Sequence, residues 1–369
     1  MRILAVDTGT GTQDILLLDT RELVENSVKM VAPSPTMRAA GQIREATRQS
    51  RPLLFTGVTM GGGPCRWELE RHLKAGLAAF ATPDAARTFD DDLDVVGNMG
   101  VQLVSEEEAA RMNGVERIET RDLDLGAIRA ALSSMGADTR IDGLALACLD
   151  HGAAPPGSSD RLFRFEHLRR VVERDNDLLA FAFRREDLPS YLTRAHALLG
   201  SGEDGVPAVF LDSAPAAALG ALQDPVVAGA EEQLVLNLGN SHTLAFHLRG
   251  THIYSLFEHH TGLLDREKLD SLSERLVAGT LRHEEVFADN GHGVYYASSP
   301  ASRDPFVTAT GPQREKLRGS RLKPHFAAPH GDMMLSGCFG LAQAFAAKYP
   351  EHREEIERAL KGQASESGE

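Results

Sequence analysis

The sequence predicts an α/β protein of two domains. Short β-branched apolar runs alternate with helical patterns along the chain. The 369 residues are more than twice the roughly 150 of an average domain. Apolar residues make up 42% and charged residues 25%, a balance that fills ordinary hydrophobic cores under a solvated surface. No internal repeat of fixed period accompanies this alternation.

The elements follow in order. Met1–Asp7 and Gln13–Asp19 read as strands around the turn Thr8-Gly9-Thr10-Gly11-Thr12, and Leu23–Val31 as a third strand. Pro52–Met60 and Ile141–Leu149 are continuous apolar runs of the kind buried at a sheet centre. Leu123–Met135 and Phe165–Glu173 have helical spacing. Ala208–Asp212 reads as a strand leading into the Ala-rich helix Ala214–Leu222. Composition changes near residue 225. Gln233–Leu238, Thr243–Leu248 and His252–Phe257 then form a meander, with turn residues at Gly239-Asn240 and Arg249-Gly250. Leu264–Gly279 reads as an amphipathic helix, Phe306–Thr310 as a strand, and Asp332–Lys348 as a helix of small residues. The Gly/Pro/Ser segment Gly152–Asp160 is expected to be mobile, and residues 361–369 to be a disordered polar tail.

Charge and composition narrow the function. The 39 Lys and Arg against 53 Asp and Glu leave a net charge of −14, the wrong sign for a nucleic-acid surface. No apolar run approaches the ~18 residues of a membrane span, and Asp7 comes too early for a signal-peptide core. Cys65, Cys148 and Cys338 are isolated from one another. They make neither a disulfide framework nor a CxxC pair, which fits a cytoplasmic location.

The strongest local motif is AVDTGTGTQDILLLD, residues 5–19. A buried strand ends in Asp7, a turn of small residues follows, and a second apolar strand leaves it. Such a turn lets successive backbone N–H groups and the hydroxyls of Thr8, Thr10 and Thr12 cradle phosphate oxygens. A strand-end carboxylate can hold Mg²⁺ through water, because Mg²⁺ prefers oxygen ligands and keeps several waters. A capped hairpin with no ligand would use the same residues. LVLNLGNSHTLAFHL, residues 234–248, repeats the logic with Asn237 in the place of Asp7 and Gly239, Asn240, Ser241 and Thr243 in the turn.

This pair resembles the two phosphate-binding hairpins of the actin-like ATPase superfamily, which includes sugar kinases and heat-shock chaperones. FLDSAPAAALGAL (210–222), FVTATGP (306–312) and SGCFGLAQAFA (336–346) resemble, in order, its first connecting helix, adenosine segment and second connecting helix. The resemblance implies a two-lobed α/β fold of the ribonuclease-H-like kind. Lobe one would span 1–230 plus 332–348, and lobe two 231–331. Small residues in the connecting helices would let them cross closely under a hinged cleft. ATP and Mg²⁺ would occupy that cleft. Asp7 would orient the Mg²⁺ waters, the two turns would hold phosphate, and Gly311 would approach adenosine. Asn237 departs from the acid usual in the second hairpin; an amide is a poor base and a weaker Mg²⁺ ligand.

The chain is also similar to a prokaryotic family labelled pyruvate formate-lyase activating enzyme. AVDTGTGTQDILLLD, VTMGGGP (58–64) and FEHHTG (257–262) carry that likeness. A radical activase needs three closely spaced cysteines for its iron–sulfur cluster, and this sequence has no such triplet.

Substrate-side candidates are less local. Gly61, Gly62 and Gly63 precede a helix and could form an anion site at its N-terminus, or simply a tight turn. Asp150-His151 and Asp212 end buried strands, where either carboxylate could be a general base or a turn cap. Nine of the 14 histidines fall within residues 242–330, among them His242, His259, His260 and His292. These could line the cleft or, with carboxylates, hold a transition metal. No HxH or HxxxH spacing supplies two ligands from one element, and His259 and His260 would face opposite sides of a strand. The reading is an Mg-dependent ATPase or small-molecule kinase. The alternatives are an ATP-driven activator of a partner enzyme, or a non-catalytic or metal-dependent protein.

Overall fold

The computed structural model describes residues 1–300 and 302–363; most of the tail expected at 361–369 lies outside them. The chain begins with the meander β1 (Arg2–Thr8), β2 (Thr12–Asp19) and β3 (Val28–Pro33). Next come β4 (Leu53–Gly57), β5 (Ala79–Ala81), β6 (Val101–Leu103) and β7 (Glu116–Thr120). They are followed by β8 (Gly143–Cys148), β9 (Ala182–Arg184) and β10 (Ala208–Asp212). The last set is β11 (Gln233–Leu238), β12 (His242–Arg249), β13 (His252–His260), β14 (Gly293–Tyr296), β15 (Phe306–Thr310) and β16 (His325–Phe326).

Two six-stranded sheets have the orders β3-β2-β1-β8-β10-β9 and β14-β13-β12-β11-β15-β16. Both follow one plan. An antiparallel meander comes first, and its opening strand then pairs in parallel with a later strand, which pairs in parallel with the next. Register equates Asp7 with Asn237: Asp7 lies between Asp14 and Ala147, and Asn237 between Leu244 and Thr310. Strand β8 is buried along its whole length, as its uninterrupted apolar run requires.

The run Pro52–Met60 does not join that sheet. It supplies β4 of a separate all-parallel sheet, ordered β6-β5-β4-β7, inserted between β3 and β8. This sheet has its own core, including Ile43, Phe55, Leu69 and Ile118. An apolar run reports burial on both faces but not which sheet buries it. The expected strand Leu23–Val31 also starts late: Val24–Asn26 is a 3-10 turn, and pairing begins at Val28.

The helices Ser213–Ala221 and Ser336–Lys348 cross between and beneath the two large sheets. The second packs on β1, β8 and β10, while the first touches β8 and β10 on one side and β11 and β15 on the other. Their approach permits no side chain at the crossing. A Cβ on Gly220 would lie 1.8 Å from the Ser336 carbonyl oxygen, and one on Gly340 2.0 Å from that of Ala216. The close crossing that the resemblance implies is therefore present, and glycine is what allows it. Among the described residues, no helix is long and apolar enough to cross a membrane.

Candidate functional site

The β1–β2 and β11–β12 turns have the same hydrogen-bonded closure. Gly9 N–H donates to the Thr12 carbonyl at 2.9 Å, and Gly239 N–H to that of His242 at 2.9 Å. The turns meet face to face. Ser241 Oγ donates to Thr10 Oγ1 at 2.9 Å, and a Cβ on Gly11 would sit 2.2 Å from Asn240 Nδ2. A cavity of about 300 Å³ lies beneath them. Asp7, Thr8, Gly9, Thr10 and Thr12 line one side, and Gly239, Asn240 and Ser241 the other. Gly311, the Gly61–Gly63 loop and His151 complete its wall, with Leu244, Met333 and Met334 as apolar surface. Most residues singled out from the sequence thus converge, although they come from five separate segments. The amides of Gly9 and Gly239 close their own turns, so these glycines shape the site rather than offering a free donor.

Five of the expected residues have other surroundings. Thr243 is fully buried and shares a hydrogen bond with the Thr261 hydroxyl at 2.9 Å, outside the cavity. His259 is buried and contacts the Asp289 carboxylate at 3.1 Å. His260 faces the other way, as strand alternation requires, and lines a neighbouring cavity of about 560 Å³. Asp150 accepts from the backbone N–H of Gly152 at 2.8 Å and Ala195 at 2.9 Å. Two amide donors make it a structural cap rather than a free base. Asp212 is buried against the Arg164 guanidinium and also accepts from Ala214 N–H. Both of its oxygens are committed in this way, so neither faces the cavity as a free base.

At the cavity floor, Asp7 accepts a hydrogen bond from Ser213 Oγ at 2.6 Å. Burial pushes its carboxyl up to about 6, with Ser213 opposing the rise. Asp14 stands directly opposite on β2. Burial, reinforced by the Asp7 charge, pushes it up to about 8. Its Oδ1 is buried without a hydrogen-bond partner. Gly337 makes room for this pair, since a Cβ there would lie 2.2 Å from Asp7 Oδ2. Arg194 is the only Lys or Arg side chain among the described cavity-lining residues. Its guanidinium is already committed: Nε donates to Asp122 at 2.6 Å and Nη1 to the Leu149 carbonyl at 2.8 Å. The floor is therefore acidic, and a polyanion there needs a cation beside it.

Asp14, Ser213 and Arg194 are cavity residues that the sequence does not single out for the cleft, whereas His242, one of the histidines expected there, does line it. Asp14 had a usable signal: in a hairpin with this turn length, the register sets it across from Asp7. Arg194 had none, because its partner Asp122 is 72 residues away.

The doubled sheet plan, the crossing helices and the cleft between two facing turns define a two-lobed protein of the actin-like ATPase fold class. Within that class the chain belongs to the family described as "Putative pyruvate format-lyase activating enzyme (DUF1786)", whose model matches residues 60–316. No curated protein matches the chain. Among solved structures it is similar to the ROK hexokinase from Thermus thermophilus, at 14% identity and a TM-score of 0.34, covering 95% of this chain and 100% of that one. It is also similar to the ethanolamine utilization protein EutJ from Carboxydothermus hydrogenoformans, at 14% identity and a TM-score of 0.31, covering 94% and 89%.

The iron–sulfur cluster that the family's description suggests does not fit these residues. All three cysteines are free and buried. Burial pushes the Cys65 thiol up to about 12 and those of Cys148 and Cys338 well above their ordinary value. Thiolate is the ligand such a cluster needs. The one cluster of metal-capable side chains found among the described residues is made of histidines, with no sulfur.

Proposed function

We propose that the protein binds Mg-ATP in the cleft and transfers its terminal phosphoryl group to water or a small acceptor. The observation that carries this reading is the pair of hydroxyl-bearing turns meeting over Asp7. The donor set fits Mg²⁺: Asp7 and Asp14 offer hard carboxylate oxygens, and the unpartnered Asp14 Oδ1 is a buried acceptor that lacks a cation or donor. Asp7 would hold the ion through water. Thr8, Thr10 and Thr12 would contact phosphate from one side, and Asn240 and Ser241 from the other. Gly311 and the methionine wall would meet the nucleoside. An acceptor would approach past Gly61–Gly63 and His151. Catalysis would rest on positioning and charge neutralisation, within lobes divided at 1–230 with 332–348 against 231–331. Three free buried thiols suit a reducing, cytoplasmic compartment.

Titration calorimetry tests this directly. Mg-ATP is expected to bind the wild type, with no binding when Mg²⁺ is chelated and at least 100-fold weaker binding in Asp7→Ala. Ligand at 100 times Kd adds about 2.7 kcal/mol of stability, so thermal shift offers an independent check. Absence of binding up to millimolar nucleotide would overturn the reading.

A further inference from the structure

We propose that His151, His242 and His292 bind one borderline transition-metal dication, of the Zn²⁺ type, at the inner end of the cleft. This site does not rest on the Mg-ATP reading and uses none of its acidic floor, although His151 and His242 also line the same cavity. One ring nitrogen from each histidine lies within 4.8 Å of the others. The three come from different segments: the loop after β8, the start of β12, and the loop before β14. A fourth imidazole, His260, has its ring centroid 4.9 Å from that of His242 and 4.8 Å from that of His292.

Two features separate this cluster from histidines packed for structure. His292 is fully buried, yet neither of its ring nitrogens has a hydrogen-bond partner. An imidazole stranded in this way costs about 1–3 kcal/mol, and a metal bond removes that cost. His242 Nδ1 lies 3.0 Å from Glu258 Oε1. Glu258 is ion-paired to buried Arg164 at 3.3 Å. An ionised carboxylate only accepts, so Nδ1 donates to Glu258, and Nε2 is the nitrogen left to face a metal. Carboxylate–histidine pairing of this kind orients and strengthens metal ligands.

Imidazole donors suit Zn²⁺, Cu²⁺, Ni²⁺ or Fe²⁺ and disfavour Mg²⁺. Metal–nitrogen bonds of about 2.0–2.1 Å require the three rings to draw inward by roughly an ångström. His151 borders both the cleft and the 560 Å³ cavity beside it. An ion held there can take an oxyanion or water from either side as its remaining ligand.

The test uses untagged, chelator-stripped protein titrated with Co²⁺ and followed by visible absorption, with Zn²⁺ affinity read by competition against a chromophoric chelator. The expected result is one equivalent bound, with intense bands of four-coordinate Co²⁺ that Zn²⁺ displaces. Affinity should fall at least 100-fold in His292→Asn and in His151→Asn and stay unchanged in His196→Ala, an exposed control. His151→Asn, at a half-buried position, carries the test if the buried His292 variant does not fold. Sub-stoichiometric binding, or stoichiometric binding that survives His151→Asn in folded protein, overturns the proposal.

Discussion

Replacing Arg164 with methionine is expected to destabilise the protein by about 3–5 kcal/mol, the range seen when one member of a buried ion pair is removed. For a chain of this length, at ~2.1 cal/mol/K of unfolding entropy per residue, this is a fall in Tm of about 5 °C. Arg164 is fully buried between the carboxylates of Asp212, at the end of β10, and Glu258, within β13, which belong to the two different large sheets. It also donates to the Asp150 carbonyl at 3.2 Å. Methionine would fill much of the volume but leave two buried carboxylates facing each other. Calorimetric unfolding measures the loss. The triple variant Arg164→Met, Asp212→Asn, Glu258→Gln should recover much of it, because no unpaired charge remains. A loss under about 1 kcal/mol for the single variant would mean that the cluster does not tie the sheets together. A secondary effect is expected at His242, whose orientation depends on Glu258.

The second large effect is pH-dependent. Asp14 has an ordinary carboxyl value of 3.8, raised in the folded protein to about 8 by burial and the Asp7 charge. A carboxyl raised on folding leaves stability intact below its unfolded value. That stability is lost progressively as pH rises from about 4 to about 8, because the unfolded chain ionises first. At about 1.4 kcal/mol per pH unit, the ceiling is roughly 6 kcal/mol. Asp14→Asn should abolish this slope. The variant is expected to match the wild type at pH 4 and to exceed it by several kcal/mol at pH 8.5, measured by denaturant unfolding across that range. Equal pH profiles for the two proteins would show that Asp14 is ionised in the fold at neutral pH.

Arg164 marks the limit of what the sequence discloses. The hairpins were legible because a strand, a five-residue turn and a returning strand are local, and the turn composition states its own geometry. The two connecting helices were legible because alanine and glycine are concentrated where they cross. Arg164 was not. It lies one residue before the run Phe165–Glu173 that reads as helical, and nothing within a few turns of it in the sequence reveals partners 48 and 94 residues away. The histidines show the same limit. Their density in the second half was evident, but His151 lies far outside that stretch, and only tertiary packing brings it against His242 and His292. The inserted parallel sheet was missed for a different reason. Strands β5 and β6 are three residues each, too short for any periodicity to register.

The contact between the two turns has a consequence for timing. Thr10 and Ser241 are joined directly at 2.9 Å, which leaves no space for a phosphate between them. A ligand that is to lie there must wait for the hydroxyls to part, so its arrival is governed by a unimolecular opening and not by collision alone. In stopped-flow mixing, the observed rate should therefore climb with ligand concentration and then level off at the opening rate. Weakening the latch with Ser241→Ala should raise that plateau.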